Sequence, residues 1–184
     1  NKNGNTVSLT FPNKNGEFVN YQVFEASIMS AELQKDFPMM KSYVAVSTDK
    51  KSTMRFSISP FGLHGMRYSN SGELEFIDPY TKDGLIYSVY SKKDLSDSDR
   101  AFYCKTKEEH LHADKKSNKN RSLKSVSNDG VLRTFRLALA CTGEYAQFHL
   151  TDKGITSSSP TSVKKAAVLD AMLTTMTRVN ALFE

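Results

Sequence analysis

The C-terminal third of the sequence most constrains the fold, because it combines one strand-like run with one long helical pattern. Residues 131–148 begin with a nearly continuous apolar run, which predicts a strand covered on both faces. Ser159 suits a helix N-cap and Pro160 suits the first helical position, so we expect a helix over residues 160–183. A strand followed by a helix of about six turns is half of an α/β layer and cannot bury both of its faces alone.

The predicted strand and helix also suggest what individual side chains do. The apolar face expected of the helix consists of Val163, Ala166, Leu169, Met172, Leu173, Met176, Val179 and Phe183. Cys141 lies inside the apolar run, so we expect a buried and inert thiol. Glu144 is a candidate calcium ligand or turn cap, and a structural hydrogen bond is the favoured interpretation.

The N-terminal half reads as a series of β-strands separated by turns. Val7, Leu9 and Phe11 alternate with polar residues, as expected for a half-buried strand. The turn sequence at 69–72 predicts a hairpin of residues 63–68 and 73–77, with residues 85–90 as the next antiparallel strand. One short helix is expected from residue 27 to about residue 36, before Pro38. These patterns predict an α+β protein with a β-rich N-terminal domain, either a curved antiparallel sheet or a sandwich.

Residues 96–130 are rich in Ser, Asp, Asn and Lys and poor in apolar residues, which is typical of a linker. We therefore predict two domains, residues 1–125 and residues 126–184. The net charge of the chain is +5, and much of this excess lies between residues 105 and 124. That stretch lacks interleaved aromatic residues, so a solvated connector is favoured over a nucleic-acid site.

Composition also indicates where the protein works. No stretch is long and apolar enough to span a bilayer, so we expect no membrane partner. The first residues are already mature in character, so a signal peptide could have been removed; the family resemblance given below implies a secreted, extracellular protein. Cys104 and Cys141 are too few for a disulfide framework, and either a bridge between them or two free thiols is open.

Two groups of segments resemble one protease family. Residues 62–67, 74–79 and 85–90 resemble the prodomain of reprolysin-like zinc metalloproteases, the adamalysin branch of the metzincins, with Asp78 as the acid of an "-IEP-"-type strand. Residues 132–145 and 172–184 resemble the first strand and first helix of the catalytic domain in bacterial secreted members. The resemblance implies an inhibitory prodomain followed by the first β–α unit of an α/β metzincin catalytic domain.

The catalytic motif of that family is absent from this chain. The family holds its zinc with His-Glu-x-x-His-x-x-Gly-x-x-His, whose glutamate is the general base. The four histidines here, His64, His110, His112 and His149, do not have this spacing. The chain therefore contains no catalytic residues and should be inactive alone. The resemblance implies that the remainder of the catalytic domain, as continuing sequence or as a second polypeptide after a nick, supplies them and acts on protein or peptide substrates.

Cys104 is the candidate metal ligand, because the resemblance implies an inhibitory cysteine in a comparable position. A thiolate can occupy the zinc site that hydrolysis reserves for water, and Lys105 and Lys107 would favour the thiolate form. The alternatives are an unpaired surface thiol or a bridge to Cys141. His110 and His112 form a His-x-His pair, for which exposed histidines without a metal are the favoured interpretation.

Maturation would require a cut in the linker. Candidate positions, all in the segment expected to be exposed, are Arg121, Ser122, Lys124 and Asp129. The predicted function is thus the propeptide-containing portion of a secreted zinc metalloendopeptidase zymogen, kept latent by a cysteine-to-zinc switch and by occupancy of the cleft. The alternative is a non-catalytic β-rich binding or surface module whose C-terminal helix packs on a partner chain.

Overall fold

The computed structural model of the chain describes residues 6–95 and 136–183, and they form an α+β protein. Its elements are β1 (Val7–Pro12), β2 (Phe18–Glu25), α1 (Ala31–Asp36), β3 (Lys41–Ser47), β4 (Ser52–Ser59), β5 (Gly62–Ser69), β6 (Leu74–Pro79), β7 (Tyr87–Ser91), α2 (Gly143–Asp152) and α3 (Thr161–Phe183). The strands make one seven-stranded antiparallel sheet in sequence order. The predicted α+β class and the curved antiparallel sheet are confirmed.

The turns set the register of this meander. Between β5 and β6 the Ser69 hydroxyl accepts a hydrogen bond from the Glu73 amide at 3.1 Å, and Gly72 adopts a φ of +82°. This closes the hairpin with Tyr68 opposite Leu74, as predicted. Strand β7 follows as an antiparallel neighbour of β6 and begins at Tyr87.

The sheet curls so that β1 lies over β4 and β5. The rings of Phe11 and Phe56 lie 5.3 Å apart, and a guanidinium nitrogen of Arg67 donates to the Pro12 carbonyl at 2.7 Å. The concave face holds the hydrophobic core, which consists of Phe11, Tyr21, Val23, Ala45, Met54, Phe56 and Ile77. The curl therefore gives the sheet a buried interior of its own.

Helix α1 is shorter than the sequence predicts. Ser30 caps it by accepting a hydrogen bond from the Leu33 amide at 3.2 Å, and the helix begins at Ala31. The residues before it are held in another way, since the Ile28 amide donates to the Ser42 hydroxyl of β3. Leu33 is only half-buried, so α1 covers the edge of the molecule rather than its core.

Helix α2 stands where the sequence predicts the end of a strand over residues 131–148. Residues 136–142 are irregular and exposed, and residues 131–135 lie outside the described part of the chain. Thr142 caps α2 by accepting from the Tyr145 amide at 3.3 Å. At the other end Gly154 has a φ of +69°, and the Ile155 amide donates to the Leu150 carbonyl at 2.8 Å. Local hydrogen bonds thus cap both ends of α2. These caps favour a helix here, although the apolar run predicted a strand.

Helix α3 agrees with the predicted helix over residues 160–183, but it buries a different face. It packs against β4 and β5, and its buried residues are Ala167, Asp170, Ala171, Leu173 and Thr177. Of the expected apolar face, Val163 and Phe183 are exposed. The sheet, α2 and α3 belong to one compact unit, and the predicted boundary between residues 125 and 126 lies outside the described residues.

Candidate functional site

Most of the predicted site residues fall outside the described part of the chain. These are the candidate zinc ligand Cys104, the cleavage candidates Arg121, Ser122, Lys124 and Asp129, and the pair His110 and His112. Their roles stay predictions. Within residues 6–95 and 136–183, no group of three or more His, Cys, Asp or Glu side chains is arranged to hold a metal ion. Across the same residues, no helix combines the length and the apolar character needed to cross a bilayer.

Two predicted residues are described and lie near α2. Cys141 is a free, exposed thiol rather than a buried one, because it precedes the helix in an irregular segment. Glu144 lies in the first turn of α2. Its own backbone amide and the Thr142 hydroxyl hold its pKa below the usual value, as expected for an anion at a helix N-terminus. This environment supports a structural hydrogen-bonding role for Glu144.

The carboxylate of Asp78 in β6 contacts side chains from three other elements. Arg178 of α3 places Nη2 2.5 Å from Asp78 Oδ1, and His64 of β5 places Nδ1 2.6 Å from the same oxygen. The Tyr90 hydroxyl of β7 donates to Oδ2 at 2.7 Å. The guanidinium also lies 5.1 Å from the ring centroid of Phe76. We call these five residues the Asp78 cluster.

Sheet register explains why the Asp78 cluster forms. Side chains alternate along a strand, and Ile77 points into the core, so Phe76 and Asp78 lie on the opposite face. Tyr90 is the cross-strand partner of Phe76, and their rings stack with centroids 5.4 Å apart. Helix α3 covers this outer face and brings Arg178 to it.

The cluster shifts the proton affinities of its members. Burial raises the pKa of Asp78, but the hydrogen bonds from His64 and Tyr90 and the charge of Arg178 outweigh it, so this pKa lies below its usual value. Burial and the hydrogen bond to Asp78 raise the pKa of Tyr90 to about 12. The two oxygens of the carboxylate contact three side chains from three other elements, so Asp78 ties these elements together.

A second polar group joins α3 to the turn between β4 and β5. Lys153, just after α2, places Nζ 2.8 Å from Oδ2 of Asp170, whose side chain is only 1% exposed. The same ammonium lies 4.8 Å from the ring centroid of Phe61. We call these three residues the Asp170 cluster. In both clusters a cation pairs with a carboxylate and lies over an aromatic ring.

An open cleft of about 420 Å³ adjoins both clusters. Its walls come from the β4–β5 turn, the β6–β7 loop and the end of α2, and they include Phe61, His64, Tyr87 and Lys153. Gly62 belongs to this wall and has a φ of +122°. The charged lining residues are of both signs, Lys82 and Lys153 with Asp83 and Asp152, so the cleft has no strong preference for an anion or a cation.

Sequence reasoning singled out Asp78 but missed its partners. His64 lacks the spacing of the zinc motif, and Arg178 lies within the segment 172–184 that resembles the first catalytic helix. No local pattern links an acid to an arginine that lies 100 residues away. The sequence does contain a pattern that predicts α2, because Thr142 and Gly154 are typical helix-capping residues at an appropriate separation.

Comparisons with known proteins add no relative to this picture. No protein-family model, no curated protein and no solved structure matches the chain. The resemblance to reprolysin-like proteases therefore remains a hypothesis drawn from the residues themselves.

Proposed function

We propose that this chain is the inhibitory N-terminal portion of a secreted zinc metalloendopeptidase zymogen, comprising a prodomain and the first part of a catalytic domain. The observation that carries the proposal is the Asp78 cluster. It unites the segments that resemble the prodomain, through His64, Asp78 and Tyr90, with the segment that resembles the first catalytic helix, through Arg178. A sheet that binds this helix supports a precursor in which the prodomain and the start of the catalytic domain pack together.

The two faces of α3 give further support. The sheet covers the face with Ala167, Asp170 and Ala171. The more apolar positions Leu169, Met172, Met176 and Val179 are only half-buried. A helix that packs with one face on a prodomain would still offer these side chains to the remainder of its catalytic domain, the partner that the proposal requires.

Latency would depend on Cys104. Zinc would be bound mainly by histidines outside this chain, with the Cys104 thiolate as the additional ligand in the latent form. A thiolate in the place of the hydrolytic water leaves no nucleophile, so the precursor is inactive. A cut near Arg121, Ser122, Lys124 or Asp129 would then separate the ligand from the active site.

The test uses the full precursor, that is, this chain together with the coding sequence that flanks it. X-ray absorption at the zinc edge should show one sulfur at about 2.3 Å in the uncleaved precursor. The variant Cys104→Ala should lose this sulfur and should cleave a denatured protein substrate without maturation. The matched control is Cys141→Ala, since Cys141 is the exposed thiol of the same chain.

Two outcomes would overturn the proposal. One is a precursor that binds no zinc and has no peptidase activity after limited proteolysis. The other is an unchanged zinc–sulfur signal in Cys104→Ala. A metal-free, inactive precursor would instead favour the β-rich binding module, for which the exposed Tyr80, Leu85 and Ile86 of the β6–β7 loop offer an apolar contact surface.

A further inference from the structure

We propose that the α2–α3 hairpin docks reversibly on the sheet and opens as a unit while the sheet stays folded. The Asp78 cluster and the Asp170 cluster hold it closed. This inference goes beyond the proposed function and does not depend on it, because it is argued only from the contacts of the described residues.

Polar contacts hold α3 to the sheet at its middle and near its C-terminal end. Asp170 and Arg178 are eight residues apart on α3, which corresponds to about 12 Å along the helix axis. Near the first, Lys153 links α3 to the ring of Phe61 in the β4–β5 turn. Near the second, Arg178 links α3 to Asp78 and Phe76 of β6. The Arg178–Asp78 pair is partly exposed and weakens in salt, whereas salt screens the buried Lys153–Asp170 pair less.

Between the clusters, the interface is poor in apolar contact and rich in polar groups. The residues buried on α3 include only one large apolar side chain, Leu173, together with two alanines, Asp170 and Thr177. Beneath α3, the outer face of the sheet buries Arg55 and Ser57 of β4 and Met66 of β5. Large apolar side chains are thus few at this interface, which limits its gain from the hydrophobic effect.

Several buried polar atoms at this interface have no hydrogen-bond partner among the described residues. Four side-chain atoms of α3 or of β4 beneath it are of this kind: Ser57 Oγ, Asp170 Oδ1, Thr174 Oγ1 and Arg178 Nε. A buried polar atom without a partner is less stable than the same atom in water. Water would satisfy all four when the helix opens, so opening is less costly here than at a well-paired interface.

The sheet keeps its own hydrophobic core when α3 undocks. Every residue of the hydrophobic core belongs to β1–β6, and none belongs to α2 or α3. Arg67, on this concave side, pairs with Glu75 at 2.6 Å. Because the core lies on the concave face and α3 covers the outer face, opening should leave the core intact.

Hydrogen–deuterium exchange of the whole chain, followed by mass spectrometry, tests the inference. In the wild type, peptides of α3 over residues 167–177 should exchange faster than peptides of β4 over residues 54–57. Arg178→Met keeps the aliphatic stem and removes the guanidinium, so α3 should exchange about tenfold faster while β4 is unchanged. Lys41→Met, which removes the Lys41–Glu25 ion pair between β3 and β2, is the matched control and should change neither.

The salt dependence of the wild type gives a second measurement if Arg178→Met fails to fold. Raising sodium chloride to about 1 M, where the Debye length is about 3 Å, should accelerate exchange in α3 and not in β4. The inference is overturned if α3 and β4 exchange together in one cooperative step under both salt conditions, or if Arg178→Met accelerates both by the same factor.

Discussion

Arg178 of α3 and Asp78 of β6 are 100 residues apart in the sequence and form an ion pair at 2.5 Å. The same carboxylate binds His64 of β5 and Tyr90 of β7, so one side chain joins four elements. Its neighbour Ile77 belongs to the core on the opposite face. Position 78 is therefore where the outer layer of the molecule depends most on a single residue.

Replacing Asp78 by Asn should lower the free energy of unfolding by about 1–3 kcal/mol, because it leaves Arg178 without its anion in a half-buried place. Urea unfolding followed by circular dichroism measures this. Asp152→Asn, at an exposed carboxylate at the end of α2, should change stability by less than about 0.5 kcal/mol. Equal effects of the two substitutions would remove the special role of Asp78.

The stability of the protein should depend on acid through Asp78. Its pKa in the folded state lies below the usual value for an aspartate, so the folded state binds this proton less tightly than the unfolded state. The resulting stabilisation is complete above about pH 4 and is lost as the pH falls through the folded pKa. Urea midpoints measured between neutral pH and about pH 2 should therefore fall less steeply in Asp78→Asn than in the wild type. An equally steep fall of the urea midpoint in the two proteins would show that Asp78 does not cause this pH dependence.

Tyr90 should lose its proton at a higher pH than an ordinary tyrosine. Its pKa is raised from 10.0 to about 12, so its hydroxyl keeps donating to Asp78 in moderately alkaline solution. The stabilisation it provides is complete below the unfolded value near 10 and is lost as the pH rises through about 12. The difference in phenolate absorbance between wild type and Tyr90→Phe isolates this titration. A difference that appears near pH 10 would show that the hydrogen bond to Asp78 is not maintained.

Gly62→Ala should destabilise the hairpin of β4 and β5 by about 1–3 kcal/mol. Gly62 has a φ of +122°, and an added Cβ would lie 2.7 Å from Cγ of Pro79. Gly16→Ala separates the strain of a positive φ from the clash with Pro79, because Gly16 has a φ of +81° but no atom within 4 Å of the added Cβ. We expect thermal unfolding to show the larger loss at Gly62. Equal losses would mean that the contact with Pro79 contributes nothing.

Thr142→Ala should weaken α2 by about 1 kcal/mol, since it removes the acceptor for the Tyr145 amide. Exchange rates of the amides in the first turn of α2 report this directly. Thr142→Ser keeps a hydroxyl at the same position and should restore most of the protection. Slow exchange that persists in the alanine variant would indicate that packing on α3, rather than the cap, holds this end.

The sheet and α3 were predictable because their signals are local. Turn sequences and alternating apolar residues mark the hairpin of β5 and β6, and Pro160 marks the start of α3. Helix α2 was mistaken for the end of a strand because an apolar run fits both structures. Its caps, Thr142 and Gly154, decide between the two.

The buried face of α3 and the Asp78 cluster were not predictable in the same way. A helix pattern identifies the apolar side, and here the sheet covers Ala167, Asp170 and Thr177 instead. Which face of α3 is buried depends on the pairing of Arg178 with Asp78 and on the polar outer face of β4. These groups come together only in the tertiary structure. Buried polar contacts of this kind carry no periodic signal in the sequence.

The order of the strands has a consequence for how the protein is made. Every ladder of the sheet joins strands that are neighbours in the sequence, so each strand can pair as soon as the next one has been synthesised. The sheet can therefore fold during translation, before α3 has been made. The helix would then pack on a sheet that is already folded, and a folding error in the later part of the chain would leave the N-terminal sheet intact.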